Sequence, residues 1–277
     1  MGRLIVAAVP LGNPGDASLR LREAIEKSTV VVAEDSRKFA RLCQELGVEG
    51  RAKVISFFEG NELARMDELL NSLAGEQEIL LVSDAGLPAI SDPGFRVITA
   101  ALQAGHDLEV LPGPSAVTTA LLHSGLPTDR FTFEGFAPRS AIARKNYLSQ
   151  LARETRTMVF FEAPHRVTAF LGDAIENFGD YRRAAICREM TKRYEEIIRG
   201  ELKELFEWSR SKEMLGEFTL VISGFDPDSI SYSDEDVLDL VLRFEATGIT
   251  RKEAIALAAK ELAMPKRKVF DILIANK

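Results

Sequence analysis

Short apolar runs alternate with amphipathic stretches over the first 112 residues. The apolar runs, at 4–9, 29–33, 53–57, 79–82 and 107–111, have the length of β-strands. The stretches between them carry apolar residues three or four positions apart, which is typical of helices. Strands that alternate with helices in this way indicate a parallel sheet covered by helices. We therefore predict an α/β fold for this part of the chain.

A second series of the same kind follows the segment Pro112-Gly113-Pro114-Ser115, which interrupts the pattern like a hinge. Strand-like runs recur at 131–136, 157–161, 184–187 and 216–223, with helical stretches between them. The pattern predicts two α/β domains, an N-terminal one over 1–112 and a C-terminal one over 113–224.

The pattern changes again after residue 224. Residues 224–233 are polar and rich in turn formers, which predicts a linker. The helical period then continues to the end, over 234–246, over 250–262 and from Pro265 to Ile274. Three short helices with tight turns resemble a helix-turn-helix, so we predict a small helical domain over 234–277.

The longest irregular segment between two predicted elements follows the strand at 79–82. Its eleven residues, 84–94, include two prolines and two glycines, which give a loop a fixed shape. Asp84 and Asp92 place two carboxylates in it. Such residues usually cap the following helix, but one cap needs only one of them. Because ligands of α/β sheets bind at loops that follow strands, we predict a binding loop here.

Composition narrows the class of protein. The net charge of -7 over 277 residues argues against binding of nucleic acid by bulk charge, although a local basic face is compatible with it. Cys43 and Cys187 lie far apart without CxxC spacing, which favours a reduced cytoplasmic protein with neither disulfide nor metal site. The apolar run at the N-terminus is too short to span a membrane, so we expect no membrane partner.

Familiar phosphate and hydrolase motifs are absent from the sequence: there is no GxGxxG, GxxxxGK[ST], HExxH or GxSxG. The candidate functional residues instead lie on loops that follow the predicted strands. These are PLGNPGD, EDSR, SDAGLPAISDPG, LPGPSA, EAPH and REMTK. Loops that offer mainly backbone groups and few charges suit a zwitterionic ligand that carries a flat base.

These loops, together with GLPTDRFTFEGFAPR, occur in order from about residue 3 to 223 and resemble the tetrapyrrole (precorrin/corrin) methylase superfamily. They are most similar to its branch that acts on small-subunit ribosomal RNA. The resemblance implies a class III methyltransferase fold, with S-adenosyl-L-methionine in the cleft between two α/β domains. It further implies a homodimer that methylates the ribose 2′-oxygen of cytidine 1402, in the decoding region of 16S rRNA within the small ribosomal subunit.

The resemblance also implies which residues bind the cofactor. Carried over by matching position, they are Pro10, Leu11, Gly12, Asp84, Ala85, Gly86, Pro88, Ser91, Asp92, Ser115, Ala116, Glu162, Ala163, Pro164, Met190, Thr219 and Leu220, with Phe218 as a further candidate beside the adenine.

Removal of the hydroxyl proton needs a base within hydrogen-bond reach. The candidates are Asp35, Glu162, Glu189 and His165, while Lys192 or Arg37 would orient the sugar or phosphate. Each has a structural alternative. Asp35 could cap a helix, His165 could be a structural residue, and Glu189 could pair with Lys192. The sequence leaves these alternatives open.

Contacts to RNA are expected from basic side chains. Candidates are Arg37, Arg139, Arg144, Lys145, Lys266 and Arg267, with Arg130, Arg153 and Arg156 near the middle group. The alternative is a solvated helix face, which is the common role of clustered charges. Phe58, Phe136 and Tyr147 could stack on an unpaired base, although buried aromatic residues are commoner.

Two other functions stay open from the sequence. One is a methyltransferase acting on a tetrapyrrole or another small molecule, as elsewhere in the superfamily. The other is a non-catalytic nucleic-acid-binding module built on the terminal helices, against which the neutral charge of those helices speaks.

Overall fold

The computed structural model describes residues 2–58, 60–226, 233–262 and 264–276. They form two compact units, Met1–Ser223 and Gly224–Lys277. The domain boundary predicted near residue 112 falls inside the first unit and stays a prediction. The linker predicted over 224–233 lies largely outside the described residues.

The first sheet is entirely parallel, as the alternating pattern predicts. Its strands are β1 (Arg3–Ala7), β2 (Val30–Ala33), β3 (Lys53–Ser56), β4 (Glu78–Val82) and β5 (Asp107–Leu111). Their order is β3-β2-β4-β1-β5. The helices that cover the sheet are α1 (Leu19–Lys27), α2 (Ser36–Leu46), α3 (Glu62–Ala74) and α4 (Phe95–Gln103). Separate apolar clusters fill the two faces, with α1 and α2 on one and α3 and α4 on the other. All five strands therefore end at one edge of the sheet.

The second sheet is mixed. Its strands are β6 (Phe131–Phe136), β7 (Thr157–Glu162), β8 (Arg183–Arg188), β9 (Glu196–Glu201) and β10 (Phe218–Ile222), in the order β6-β7-β10-β8-β9. Strands β6 and β7 are parallel, whereas β10 runs antiparallel to β7 and β8. The covering helices are α5 (Ala116–Ser124) on one face and α6 (Ala141–Leu151), α7 (Val167–Phe178) and α8 (Leu202–Arg210) on the other. The reversed direction of β10 brings its first residue, Phe218, beside Glu162 at the end of β7.

The described residues of the C-terminal unit form three helices, as predicted: α9 (Asp234–Ala246), α10 (Arg251–Glu261) and α11 (Lys266–Ala275). Capping boxes open the first two, through Ser233 with Asp236 and Thr250 with Glu253. The helices enclose a small apolar core of their own.

The helix caps show which polar side chains of the loops are used to begin a helix and which are not. Asp35 caps α2, and Gly47 ends that helix in the left-handed conformation at φ 65°. In contrast, α4 begins at Gly94 without a side-chain cap. The carboxylates of Asp84 and Asp92 therefore do not serve the helix that follows them.

Candidate functional site

A cleft of about 390 Å³ lies inside the first unit, where the ends of β1, β2 and β4 face the ends of β6 and β7 and the start of β10. We call it the main cleft. Twelve of the predicted cofactor residues line it: Leu11, Asp84, Ala85, Gly86, Ser91, Asp92, Ser115, Ala116, Glu162, Ala163, Pro164 and Thr219. Phe218 and Phe136 line it too. Residues that are far apart in sequence thus meet at one site.

The other predicted cofactor residues lie elsewhere. Pro10 and Gly12 line a second cleft, described below. Pro88 is buried, and Met190 and Leu220 belong to the apolar clusters on the two faces of the second sheet. Their roles toward a cofactor stay predictions.

Five carboxylate residues line the main cleft: Glu34, Asp84, Asp92, Glu162 and Glu217. Partial burial, reinforced by the nearby charges of Glu34 and Asp84, raises the pKa of Asp92 to about 7. Burial and the charge of Asp84 also raise the pKa of Glu34. Lys38 is the one cationic side chain among the described residues that line this cleft. The main cleft is therefore suited to a ligand that carries positive charge.

Asp84 is held in place from two sides. Its Oδ1 accepts a hydrogen bond from the backbone N–H of Asp35 at 3.0 Å, and its Oδ2 accepts one from Lys38 Nζ at 2.7 Å. Its own N–H donates to Glu34 Oε2 at 3.4 Å. The hydrogen bond that Lys38 donates to Asp84 raises the pKa of Lys38, which remains an ammonium group. These bonds join the loop after β4 to the loop after β2.

A second cleft, of about 330 Å³, adjoins the main cleft and is called the side cleft here. The two share Leu11, Lys38, Asp84, Ala85 and Glu217. The remaining lining of the side cleft comes from the turn after β1, from α2, from Ser83 and from Lys192. These residues are Pro10, Gly12, Pro14, Phe39, Arg41, Leu42, Glu45, Ser83 and Lys192.

The turn after β8 carries Glu189 and Lys192. Glu189 Oε1 accepts hydrogen bonds from Lys192 Nζ and from the N–H of Glu217, each at 2.9 Å. Burial alone would raise the pKa of Glu189, but these two bonds more than offset it and lower the pKa. Glu189 is consequently a weak proton acceptor, and its predicted pairing with Lys192 is present.

The next two candidate bases are Asp35 and His165. Asp35 both caps α2 and binds the guanidinium of Arg37, whose hydrogen bonds hold the pKa of that carboxyl well below its usual range. His165 is exposed in a 3-10 turn, Pro164–Arg166. Among the described residues, neither side chain belongs to the lining of the two clefts.

Glu162 lies at the end of β7 with its side chain buried. Its Oε1 accepts a hydrogen bond from the N–H of Ala163 at 2.8 Å and lies 3.0 Å from Arg166 Nε. Burial raises its pKa. Arg166 in turn donates to the carbonyls of Ala137 and Pro138, so this pair fixes the loop next to Phe136.

The basic residues predicted to contact RNA fall into two groups. Arg37, Arg139, Lys266 and Arg267 are exposed. Arg144, on α6, is only 5% exposed, and its guanidinium binds Asp173 of α7 at 2.6 Å. Lys145 binds Glu176 at 2.7 Å. A direct contact between Arg144 and RNA would require a buried ion pair to open.

Three charged residues of the main cleft, Glu34, Lys38 and Glu217, were not singled out from the sequence. Glu34 follows β2 directly and Lys38 lies in the first turn of α2. That position was a usable signal, because loops after parallel strands meet at one edge. Glu217 precedes β10, so its place at the site depends on the antiparallel direction of that strand, which the sequence pattern does not reveal.

Across 2–58, 60–226, 233–262 and 264–276, no group of His, Cys, Asp and Glu side chains is arranged to hold a metal ion. Within the same ranges, no helix combines the length and apolarity needed to cross a bilayer.

Comparison with known proteins identifies the family. Residues 3–205 match the family model of Tetrapyrrole (Corrin/Porphyrin) Methylases. Ribosomal RNA small subunit methyltransferase I of Mycobacterium tuberculosis is 45% identical over 277 residues, which are 100% of this chain and 96% of that protein. The protein of the same name from Bacillus subtilis is 35% identical, over 98% of this chain and 94% of its own length.

A solved structure supports the fold. Uroporphyrin-III C-methyl transferase from Thermus thermophilus, complexed with S-adenyl homocysteine, superimposes with a TM-score of 0.56 at 18% identity. The match covers 80% of this chain and 97% of that one. The resemblance inferred from the loop motifs is thus confirmed. The chain belongs to the tetrapyrrole methylase family, in the branch of ribosomal RNA small subunit methyltransferase I, and is a methyltransferase.

Proposed function

We propose that this enzyme transfers a methyl group from S-adenosyl-L-methionine to the ribose 2′-oxygen of cytidine 1402 in 16S rRNA. The RNA substrate is supported by the 45% identity, along the whole chain, to proteins named ribosomal RNA small subunit methyltransferase I. A uroporphyrin or precorrin substrate has weaker support, since the structural neighbours with such names are below 20% identical.

The main cleft fits S-adenosyl-L-methionine in size and charge. Its apolar wall, which includes Val117, Phe136 and Phe161, suits a flat adenine. Its carboxylates, including those of Glu34, Asp84, Asp92 and Glu217, complement an ammonium and a sulfonium. When bound, the cofactor supplies a methyl group that is already activated by the positive sulfur.

The protein's own residues would then act mainly by positioning, which can contribute roughly 7–11 kcal/mol. The hydroxyl must also lose its proton. With its pKa near 7, Asp92 is the lining carboxylate best matched to proton transfer at neutral pH. The low pKa values of Asp35 and Glu189 make these two weaker acceptors.

The proposed setting follows from the substrate. The RNA would be presented within the small ribosomal subunit, in the cytoplasm, and the family resemblance favours a homodimer. The exposed basic residues Arg37, Arg139, Lys266 and Arg267 are available for phosphate contacts.

Methyl-labelled S-adenosylmethionine tests this function. The purified protein would be incubated separately with 30S subunits, with naked 16S rRNA and with uroporphyrinogen, using RNA from cells that lack the modification. We expect label in RNA, with the subunit as the better substrate. Label only in the tetrapyrrole would overturn the proposed RNA substrate.

A further inference from the structure

The side cleft is a chamber next to the proposed cofactor site. The two clefts share one wall, formed by Leu11, Lys38, Asp84, Ala85 and Glu217. A group seated in the side cleft therefore lies next to the main cleft, in contact with residues that also line it. An acceptor must approach the cofactor in the same way for an in-line transfer to take place.

The charges of the two clefts differ. The main cleft carries Lys38 against five carboxylates, whereas the side cleft balances its three cations against three carboxylates. The cations are Lys38, Arg41 and Lys192, and the carboxylates are those of Glu45, Asp84 and Glu217. The side cleft also has apolar surface from Pro10, Pro14 and Leu42. A chamber with apolar walls and balanced charges admits a nucleotide, whose base is flat and whose phosphates are negative, more readily than the strongly acidic main cleft does.

We propose that the side cleft receives the acceptor nucleotide of the RNA, and that Lys192 and Arg41 bind its flanking phosphates. This inference rests on the proposed function and adds the place where the substrate binds.

Lys192 is held in the cleft by its neighbours. Its Nζ donates to Glu189 Oε1 and to Glu217 Oε2, each at 2.9 Å. Its stem crosses Gly12 so closely that a Cβ there would lie 2.2 Å from Lys192 Cγ. The stem can adopt this position only because residue 12 is a glycine.

The turn that carries Lys192 is strained. Glu189 and Thr191 both have positive φ, at 49° and 65°. Non-glycine residues rarely adopt this conformation, and such strain clusters at functional sites. The turn is closed by a backbone hydrogen bond from Lys192 N to Glu189 O at 3.0 Å, and Glu189 N donates to Glu217 O at 3.0 Å. The local fold thus places an ammonium group over the turn after β1 at a cost in backbone conformation.

Arg41 is the outer cation. It lies on α2, where its side chain is 79% exposed and its Nε binds Glu45 at 2.8 Å. An exposed ion pair of this kind is weak, so the guanidinium can exchange the carboxylate for a phosphate. Its planar fork matches phosphate oxygens.

Arg41→Gln and Lys192→Met test the assignment, with Lys203→Met as the control. Lys203 lies on α8, near Asp180, with a side chain that is 61% exposed. It belongs to the lining of neither cleft. The measurements are kcat and KM for 30S subunits, RNA association at several salt concentrations, and calorimetric binding of S-adenosylmethionine.

We expect Arg41→Gln to raise KM for the RNA about tenfold and to reduce the slope of log K against log salt by about 0.7, the value for one phosphate contact on a single strand. Lys192→Met should raise KM and also lower kcat, because it lies nearer the shared wall. Cofactor affinity should stay within about twofold in Arg41→Gln, because Arg41 does not line the main cleft. This retained affinity also shows that Arg41→Gln folds, and an unchanged thermal midpoint shows the same for Lys192→Met.

The outcomes separate the two proposals. Methyl transfer to RNA by the wild type, with unchanged KM and salt slope in both variants, would overturn the inference alone. Free cytidine monophosphate competing as well as the RNA would show a mononucleotide site instead and would also overturn it. An absence of transfer to any RNA by the wild type would overturn the proposed function together with the inference.

Discussion

At the scale of single residues, the charge of Asp92 is the property of the main cleft most open to test. Its raised pKa, about 7, means that the side chain gains its charge as pH rises from 6 to 8. Asp84, Glu34 and Glu217 repel that charge, and Lys38 is the lining cation near them. A cationic ligand would relieve the repulsion.

We therefore expect S-adenosylmethionine to bind more tightly as pH rises, by up to about tenfold between pH 6 and 8. S-adenosylhomocysteine lacks the sulfonium charge and should gain less. Calorimetry of both ligands with the wild type and Asp92→Asn would measure this, and the variant corrects for titration of the ligands' own amines. Equal pH dependence in the wild type and the variant would contradict the role of Asp92.

A second prediction at this scale concerns Gly12. In Gly12→Ala the new Cβ would meet Lys192 Cγ at 2.2 Å, so the lysine must leave its place. We expect kcat/KM for the RNA to fall at least tenfold while the thermal midpoint changes little, because Gly12 lies in an exposed turn. Gly50→Ala is the control, since its Cβ would meet Cys43 at an ordinary 3.6 Å. Full activity of Gly12→Ala would refute the packing argument.

At the scale of helices and strands, α6 shows where sequence patterns mislead. A solvated basic face or an RNA-binding face was expected there, yet Arg144 is buried while Ile142 of the same helix is 78% exposed. The partner of Arg144 is Asp173, which lies 29 positions away on α7. Spacing within one helix cannot reveal such a partner.

Replacing Arg144 should consequently act on stability. Arg144→Met leaves Asp173 buried without its main partner, and we expect a loss of about 3 kcal/mol in the free energy of unfolding. Lys145→Met, which removes a half-exposed cation from the same helix, should hardly move the midpoint. Urea unfolding of both variants measures this. If Arg144→Met keeps the stability of the wild type but binds RNA more weakly, this prediction is wrong and a direct contact between Arg144 and RNA is supported.

The first sheet was predictable from sequence and the second only in part. Buried parallel strands read as apolar runs, so β1, β2 and β4 stand out together with the loops that follow them. Strand direction leaves no such signal. The reversed course of β10 explains why Glu217 was missed, although the neighbouring Thr219 came from the family resemblance.

At the scale of the whole molecule, both clefts belong to the unit Met1–Ser223, while α9 to α11 have their own core. A chain ended after Ser223 should keep its affinity for S-adenosylmethionine within about twofold, because no lining residue is removed. It should bind RNA more weakly, because Lys266 and Arg267 are lost. Calorimetry and RNA titration test the two halves of this prediction, and loss of cofactor binding would contradict it.

The central claim is that this methyltransferase modifies a ribose in 16S rRNA. The most direct measurement is mass spectrometry of nuclease fragments from unmodified 30S subunits after reaction with the purified enzyme and S-adenosylmethionine. We predict one added methyl group on the ribose of cytidine 1402, resistant to alkali, and none with Asp84→Asn if that change abolishes cofactor binding by calorimetry. A methyl group on a base, or RNA left unmodified while a tetrapyrrole gains the methyl group, would contradict the account.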